Sequence, residues 1–157
     1  MSKKELDLKK TLSELRCCVV IPTYNNDKTL GRVIEGVLNV VGESTGVIVV
    51  NDGSTDGTSQ VLWLIEGQID LVHYPQNRGK GYALRQGFKR AIELGYERAI
   101  TIDSDGQHFP EDIQVIAEES IKNPDAVVMG TRNMNQEGVP GKSSFGNKFS
   151  NFWFRVE

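Results

Sequence analysis

Two carboxylates separated by a single residue, Asp103 and Asp105, are the strongest chemical signal in this sequence. Residues i and i+2 at a strand end can point to the same side, where two carboxylates repel each other unless a cation lies between them. Hard divalent ions such as Mg²⁺ or Mn²⁺ prefer oxygen ligands and are often shared with substrate phosphates. The pair therefore predicts a divalent-metal site, with an ordinary turn as the alternative. An EF-hand is excluded, because His108 and Gln114 stand where that loop needs Gly and Glu.

Similar polar segments, all but one of which contain glycine, follow other short apolar runs. Together with the first, these segments cover residues 22–26, 51–57, 75–81, 103–108 and 130–132. One such loop is weak evidence, but five of them after five apolar runs predict a shared binding edge. In the second segment, Asp52 could accept a hydrogen bond from a ligand N–H or cap a helix, and Asp56 is expected to be a cap.

Two phosphate-binding motifs are only partly matched. Gly79-Lys80-Gly81 would open a dinucleotide fingerprint, but Leu84 occupies the position of its third small residue. Gly141-Lys142-Ser143 ends like a P-loop, but Gln136 replaces the leading Gly. Neither motif is therefore predicted to function in its usual way.

Short strands and amphipathic helices alternate along the chain and must position these segments. Val- or Ile-rich runs typical of buried parallel strands cover residues 17–21, 47–50, 69–74, 99–102 and 126–129. Helical spacing of apolar residues covers 30–41 and 83–92, and Pro110 opens a third helix that ends before Asn123. This alternation predicts an α/β fold, a Rossmann-like doubly wound, mostly parallel sheet with helices on both faces. Ligands of such sheets bind outside the carboxyl ends of the strands, where the polar segments lie.

The composition is ordinary for a globular protein. Of its 157 residues, 38% are hydrophobic and 25% are charged, and this length predicts one domain. We place that domain at 17–157, after a charged lead-in at 1–16 that is expected to be a loose helix. A net charge of −3 disfavours nucleic acid as a partner. The sequence has no signal-peptide pattern and no long apolar run, which predicts a cytoplasmic protein.

Cys17 and Cys18 are adjacent and are therefore not expected to bridge each other. They are expected to be small buried residues of a strand, in a reducing compartment. The aromatic-rich segment 147–157 leaves two equal alternatives, a core helix or a segment at a membrane interface.

Together, the polar segments resemble the family 2 glycosyltransferases of the GT-A type, over residues 17–150. The resemblance is greatest to the branch that makes polyprenyl-phosphate sugars, the dolichol-phosphate mannose synthase-like enzymes. The motifs that carry it are Val19-Val-Ile-Pro-Thr-Tyr-Asn25, Asn51-Asp-Gly-Ser-Thr-Asp56, Asn77-Arg-Gly-Lys-Gly-Tyr-Ala83, Asp103-Ser-Asp-Gly-Gln-His108 and Gly130-Thr-Arg132. The resemblance implies an inverting enzyme that moves a sugar from a UDP- or GDP-sugar donor to an acceptor. The acceptor would be either a lipid phosphate, such as polyprenyl phosphate, or a glycan.

The resemblance also implies roles for individual residues. Asp103 and Asp105 would hold Mg²⁺ or Mn²⁺ and the donor diphosphate, with Gln107 as a further metal ligand. Asp105 and Arg132 would be catalytic, Arg132 lying near the phosphates of donor or acceptor. The donor-binding residues would be Pro22, Thr23, Tyr24 and Asn25 around the nucleoside, Asp52 at the base, Asp103 at the diphosphate and Lys80 in a donor-side loop.

The sequence contains no obvious general base, and this constrains the choice of acceptor. A hydroxyl acceptor needs one, whereas a phosphate acceptor is already an anion. This favours a phosphate acceptor, or a base beyond Glu157. His108 is a candidate base, although a solvated loop histidine is the simpler interpretation.

This sequence departs from the family pattern at two positions and at its end. Asn51 stands where many members have Asp, and Asn26 stands where this branch often has Glu. Family members continue past Glu157, so the domain is expected to be incomplete at its C-terminus, and contact with the cytoplasmic face of a membrane is expected only through that missing part. The alternatives are a non-catalytic nucleotide-sugar-binding fragment and a sugar nucleotidyltransferase, although 22–26 lacks the Gly-rich basic loop of the latter.

Overall fold

The computed structural model describes residues 3–42 and 46–130, which form four strands and five helices. The strands are β1 (Cys17–Thr23), β2 (Val47–Asp52), β3 (Asp70–Tyr74) and β4 (Arg98–Thr101). The helices are α1 (Lys3–Glu14), α2 (Leu30–Val41), α3 (Thr58–Leu64), α4 (Lys80–Glu93) and α5 (Asp112–Lys122). In this part of the chain, no helix has the length and apolar character needed to cross a membrane.

The described sheet is parallel throughout, with the strand order β3-β2-β1-β4. β1 lies inside the sheet, and all seven of its residues are buried. The chain runs outward from β1 to β3 and then returns through α4 to place β4 on the other side of β1. The strand order therefore reverses beside β1, and open α/β sheets bind ligands at such reversals, outside the carboxyl ends of the strands.

Helices cover both faces of the sheet, as the sequence predicts. On one face α4 packs against the central strands, with a core of Cys18, Val20, Ile48, Val50, Ala83 and Ala91. On the other face the core draws on the remaining helices, and its members include Leu12, Ile34, Leu62, Ile113, Val19, Ile21 and Val49. The expected lead-in helix is present as α1, and it is packed rather than loose, because Leu8 and Leu12 are buried in this second core.

Two details of the predicted secondary structure are wrong. Residues 126–129, predicted as a fifth strand, pair with no strand in the described part of the chain, and Val127 is 90% exposed. Strand propensity reflects packing against neighbours, so a short Val-rich run does not form a strand by composition alone. Helix α3 was not predicted, because its apolar residues 61–64 are consecutive rather than spaced along one helical face.

Gly87 sets the distance between α4 and the sheet. It is buried, and a Cβ atom at this position would lie 2.5 Å from Val20 Cγ1 and 3.2 Å from Val50 Cγ2. Even an alanine would therefore push the helix or the valines aside. Gly81, in the first turn of the same helix, has no neighbouring atom within 4 Å of its Cβ position.

We expect Gly87→Ala to lower the free energy of unfolding by about 1–2 kcal/mol, because overpacking outweighs the gain of about 1 kcal/mol in helix propensity. Gly81→Ala is the matched control, which gains propensity without a clash and should leave stability unchanged or raise it. Urea unfolding followed by circular dichroism measures both variants. Equal effects of the two substitutions would contradict the close-packing argument.

Cys17 and Cys18 are free thiols that belong to the cores on opposite faces of the sheet. This confirms that they do not bridge each other. Burial raises the pKa of the Cys17 thiol to about 11, and burial together with the neighbouring Cys17 raises the pKa of Cys18 to about 12. Both thiols are therefore protonated and shielded near neutral pH.

We expect both thiols to react with a thiol reagent at about pH 8 only after unfolding, since the thiolate is the nucleophile. Their folded-state pKa values lie above the ordinary value of 9.0. The protonated thiols thus favour folding below that pH, and this contribution is lost as pH rises towards 11 and 12. Unfolding free energies measured across this range should fall less steeply for a Cys17→Ala, Cys18→Ala double variant. Rapid labelling of the native protein would overturn the prediction.

Candidate functional site

Loops that follow all four described strands meet at one cleft of about 290 Å³ at the carboxyl edge of the sheet. Its lining residues are Pro22, Thr23, Tyr24, Asp52, Asn77, Lys80, Ala83, Asp103, Ser104 and Asp105. The structure thus brings together most of the predicted site residues. Of the others, Asn25 and Gln107 lie in the adjoining loops, and Arg132 lies outside the described residues.

The end of β1 contributes a buried hydroxyl to the cleft. Pro22 and Thr23 are buried there, whereas Tyr24 is 48% exposed. The Thr23 hydroxyl oxygen has no hydrogen-bond partner among the described residues. Since an unpaired buried hydroxyl costs free energy, a small shift that gave it a ligand partner would be favourable.

Asp52, at the end of β2, holds the loop that leads into α4. Asp52 is only 2% exposed, and its two carboxylate oxygens accept the backbone N–H groups of Arg78 at 2.8 Å and Gly79 at 2.9 Å. Gly79 has φ +88°, a left-handed conformation that side chains rarely adopt. Burial and the adjacent Asp52 carboxylate raise the pKa of Tyr74 well above its usual value. A single buried carboxylate therefore fixes the backbone from which Lys80 projects.

The loops after β2 and β3 also touch directly through Gly53. A Cβ atom at Gly53, which has φ +66°, would lie 2.4 Å from the Gln76 carbonyl carbon.

Asp56, predicted to be a cap, accepts the N–H of Thr58, the first residue of α3, at 2.9 Å. This part of the second polar segment is therefore structural.

The two departures from the family pattern both use their amide groups as donors. Asn26 Nδ2 donates to Ser104 Oγ at 2.9 Å, and Asn51 Nδ2 donates to Ser59 Oγ at 3.2 Å. A carboxylate at either position could not donate. The Thr29 hydroxyl adds a bond to the Ser104 carbonyl oxygen at 2.8 Å. Asn26 and Thr29 thus fix Ser104, the residue between the two aspartates. No pattern in the sequence pointed to this role of Ser104.

Asp103 forms an ion pair with Lys80, the first residue of α4. Lys80 Nζ lies 2.7 Å from Asp103 Oδ1 and 2.8 Å from Oδ2, so the ammonium contacts both carboxylate oxygens. His108 Nε2 lies 3.7 Å from Asp103 Oδ2, and His108 is itself exposed. Lys80 and Asp103 belong to two different polar segments, and their pairing was not predicted.

Asp105 differs from Asp103 in its surroundings. It is exposed, and its Oδ1 accepts the backbone N–H of Gln107 at 2.9 Å, which closes the turn after β4. The described residues contain no group of three or more His, Cys, Asp or Glu side chains able to hold a metal. Mg²⁺ is usually bound by one or two carboxylates together with water and substrate phosphates. Two carboxylates on one cleft wall fit an ion whose remaining ligands come from a phosphate-containing substrate.

The family model of glycosyl transferase family 2 matches residues 18–154 of this chain. The chain is 31% identical over 132 residues, 74% of its length and 52% of the relative's, to the UDP-N-acetylglucosamine–dolichyl-phosphate N-acetylglucosaminyltransferase of Methanococcus voltae. It is 32% identical over 130 residues, 81% of its length and 50% of the relative's, to the undecaprenyl-phosphate mannosyltransferase of Micrococcus luteus. The chain spans about half the length of these curated relatives.

Solved structures share the fold. TarS residues 1–349 of S. aureus in complex with UDP gives a TM-score of 0.59 at 22% identity, over 79% of this chain and 38% of that one. The glucosyl-3-phosphoglycerate synthase of Mycobacterium tuberculosis, solved with Mn²⁺, UDP and glucosyl-3-phosphoglycerate, gives 0.50 at 26% identity, over 64% and 37%. The likeness to the first confirms the predicted GT-A fold.

We expect Asp52→Asn to destabilise the protein by about 1–3 kcal/mol, because the amide places an N–H₂ group against a backbone donor and removes the charge that strengthens both bonds. The loop at Arg78 and Lys80 should also be cut faster by trypsin. Urea unfolding and timed proteolysis measure the two effects. Asp125→Asn, an exposed substitution after α5, is the control and should stay within about 0.5 kcal/mol of the parent. Unchanged proteolysis of Asp52→Asn would contradict the anchoring role.

Proposed function

The chain belongs to glycosyl transferase family 2, and from that premise we propose that it binds a nucleotide-sugar and transfers the sugar, with inversion, to an acceptor. The observation that carries the proposal is the presence of Asp52, Asp103 and Asp105 on one cleft at the carboxyl edge of the sheet. A nucleotide-sugar requires a site with two parts. One is a carboxylate pair that holds a metal and the diphosphate, and the other is a separate polar pocket for the nucleoside.

The nucleoside half of the donor is proposed to bind beside the end of β1. Thr23 supplies a buried hydroxyl, Tyr24 an exposed aromatic ring, and Asn25 lies in the adjoining loop. Asp52 is proposed to accept a nucleobase N–H. Each of its oxygens already accepts one backbone N–H, and a carboxylate oxygen has a second lone pair for another donor.

The diphosphate half is proposed to bind between Asp103, Asp105 and the start of α4. Mg²⁺ or Mn²⁺ on the two carboxylates would supply charge neutralisation at the leaving diphosphate, with Gln107 as a further ligand. Lys80 lies on the same wall of the cleft. Arg132, outside the described residues, is proposed to contact the phosphates of donor or acceptor.

A polyprenyl phosphate is the acceptor that this site supports best. Attack by a hydroxyl needs a general base, but the described lining residues contain no His, and each lining carboxylate already has another role. Asp52 is bonded to two backbone N–H groups, Asp103 is paired with Lys80, and Asp105 is assigned to the metal in this proposal. A phosphate acceptor is already anionic. The names of the two relatives, which include dolichyl-phosphate and undecaprenyl-phosphate, support the same class. Such an acceptor would bring the protein to the cytoplasmic face of a membrane.

A non-catalytic nucleotide-sugar-binding fragment is the second candidate, because the described groups of the cleft are all assigned here to the donor and its metal. Binding and transfer separate the two candidates. Both require donor binding in the cleft, whereas only the enzyme converts a nucleotide-sugar and a polyprenyl phosphate to a nucleoside diphosphate and a glycolipid.

We expect Asp105→Asn to weaken Mn²⁺-dependent binding of UDP or GDP at least tenfold, which corresponds to about 1.4 kcal/mol. The substitution preserves size but removes one ligand charge, and relief of the like-charge pair should leave the fold intact. Calorimetric titration with and without Mn²⁺ measures the effect, with Asp125→Asn as the control. If EDTA changes nothing and both variants bind as the parent does, the Asp-x-Asp segment is a turn and the metal assignment fails.

A further inference from the structure

The ion pair between Lys80 and Asp103 has a geometry that matters for cation binding. Nζ lies nearly equidistant from the two oxygens, at 2.7 Å and 2.8 Å, and so fills the space in front of the carboxylate. A divalent ion coordinated by the same oxygens would lie at about 2.0–2.6 Å from them. The ammonium and the ion cannot occupy that space together, and their like charges repel at this separation.

The Lys80–Asp103 ion pair is open to water, so breaking it costs little free energy. The Lys80 side chain is 61% exposed and the Asp103 side chain 34%, and ion pairs with this much access to water contribute little to stability. Arg90 and Asp70 provide a contrast on the same helix. Their contact uses two separate guanidinium nitrogens, each 2.7 Å from a carboxylate oxygen, and it links α4 to β3 as a structural pair.

Lys80 also lies where a cation weakens its own helix. It is the first residue of α4, whose first turn contains no acidic residue, and the positive end of the helix dipole disfavours a cation there. The same position suits an anionic ligand, because helix N-termini and lysine together attract phosphate. Asp52 fixes the backbone just before Lys80, so the flexible Lys80 side chain can change its direction while its Cα atom stays in place.

We propose that Lys80 and the divalent cation compete for Asp103, and that Lys80 moves to the donor diphosphate when the cation takes its place. This inference rests on the proposed nucleotide-sugar site. It assigns Lys80 two successive partners, Asp103 and a phosphate oxygen. Metal alone must displace the ammonium without offering it a new partner, whereas metal and diphosphate together supply one. The exchange therefore makes the two ligands bind cooperatively.

The test is Lys80→Met, which keeps an apolar stem and removes the charge. We expect Mn²⁺ alone to bind about two- to fivefold more tightly, because its competitor is gone. We expect UDP or GDP, in saturating Mn²⁺, to bind at least tenfold more weakly, because a charge-assisted phosphate contact is lost. Manganese binding is measured by electron paramagnetic resonance of the free ion, and nucleotide binding by calorimetry.

Lys89→Met is the matched control, since Lys89 is on the same helix, is 72% exposed and pairs with Glu93 instead. It should change neither affinity. Circular dichroism establishes that each variant is folded. If Lys80→Met weakens both ligands, or changes neither, the exchange is wrong although the donor site stands. If the parent itself binds neither Mn²⁺ nor a nucleoside diphosphate, the proposed function fails and the exchange fails with it.

Discussion

The geometry of the cleft depends on the buried carboxylate of Asp52. An isolated buried charge is costly, and this one is stabilised by two backbone N–H groups of the loop before α4. Those bonds fix Gly79 in its left-handed conformation and so fix the first residue of the helix, Lys80. The close contact of Gly87 with Val20 then sets the depth at which the same helix lies on the sheet. The Asp52 hydrogen bonds and the Gly87 contact thus both position α4, and α4 places the ammonium group of Lys80 against Asp103.

The strand order explains why residues so distant in sequence meet. β1 lies between β2 and β4, so the loops that follow these three strands emerge side by side at the carboxyl edge. Asn26, after β1, bonds to Ser104, after β4, while Asp52 bonds across to the loop after β3. Each loop is therefore held by a neighbour from another strand. Hydrogen bonds between loops thus hold the backbone of the site, whereas the side chains of Lys80 and Asp105 are exposed to solvent.

The sequence is informative where one physical pattern dominates. β1 and β2 are fully buried, and their continuous apolar runs predict them well. The run at 126–129 has similar composition but pairs with no described strand, which local composition cannot reveal. Asp103 and Asp105 were identifiable as site candidates from their spacing. Their partners were not, because the Lys80–Asp103 contact spans 23 positions and depends on how α4 returns over the sheet.

The balance of charge in the cleft gives a physical reason for the proposed divalent cation. Among the described lining residues, Asp52, Asp103 and Asp105 are acidic and Lys80 is the one base. A wall with more carboxylates than ammonium groups repels a diphosphate, and Asp103 neutralises the single lysine besides. In the proposed donor site, a divalent cation would reverse both effects, because it would offset two carboxylate charges and release Lys80 to face the phosphates. On this proposal, a surface that is acidic by itself would become an anion-binding site only when it carries a metal, and electrostatics alone would link donor binding to the metal.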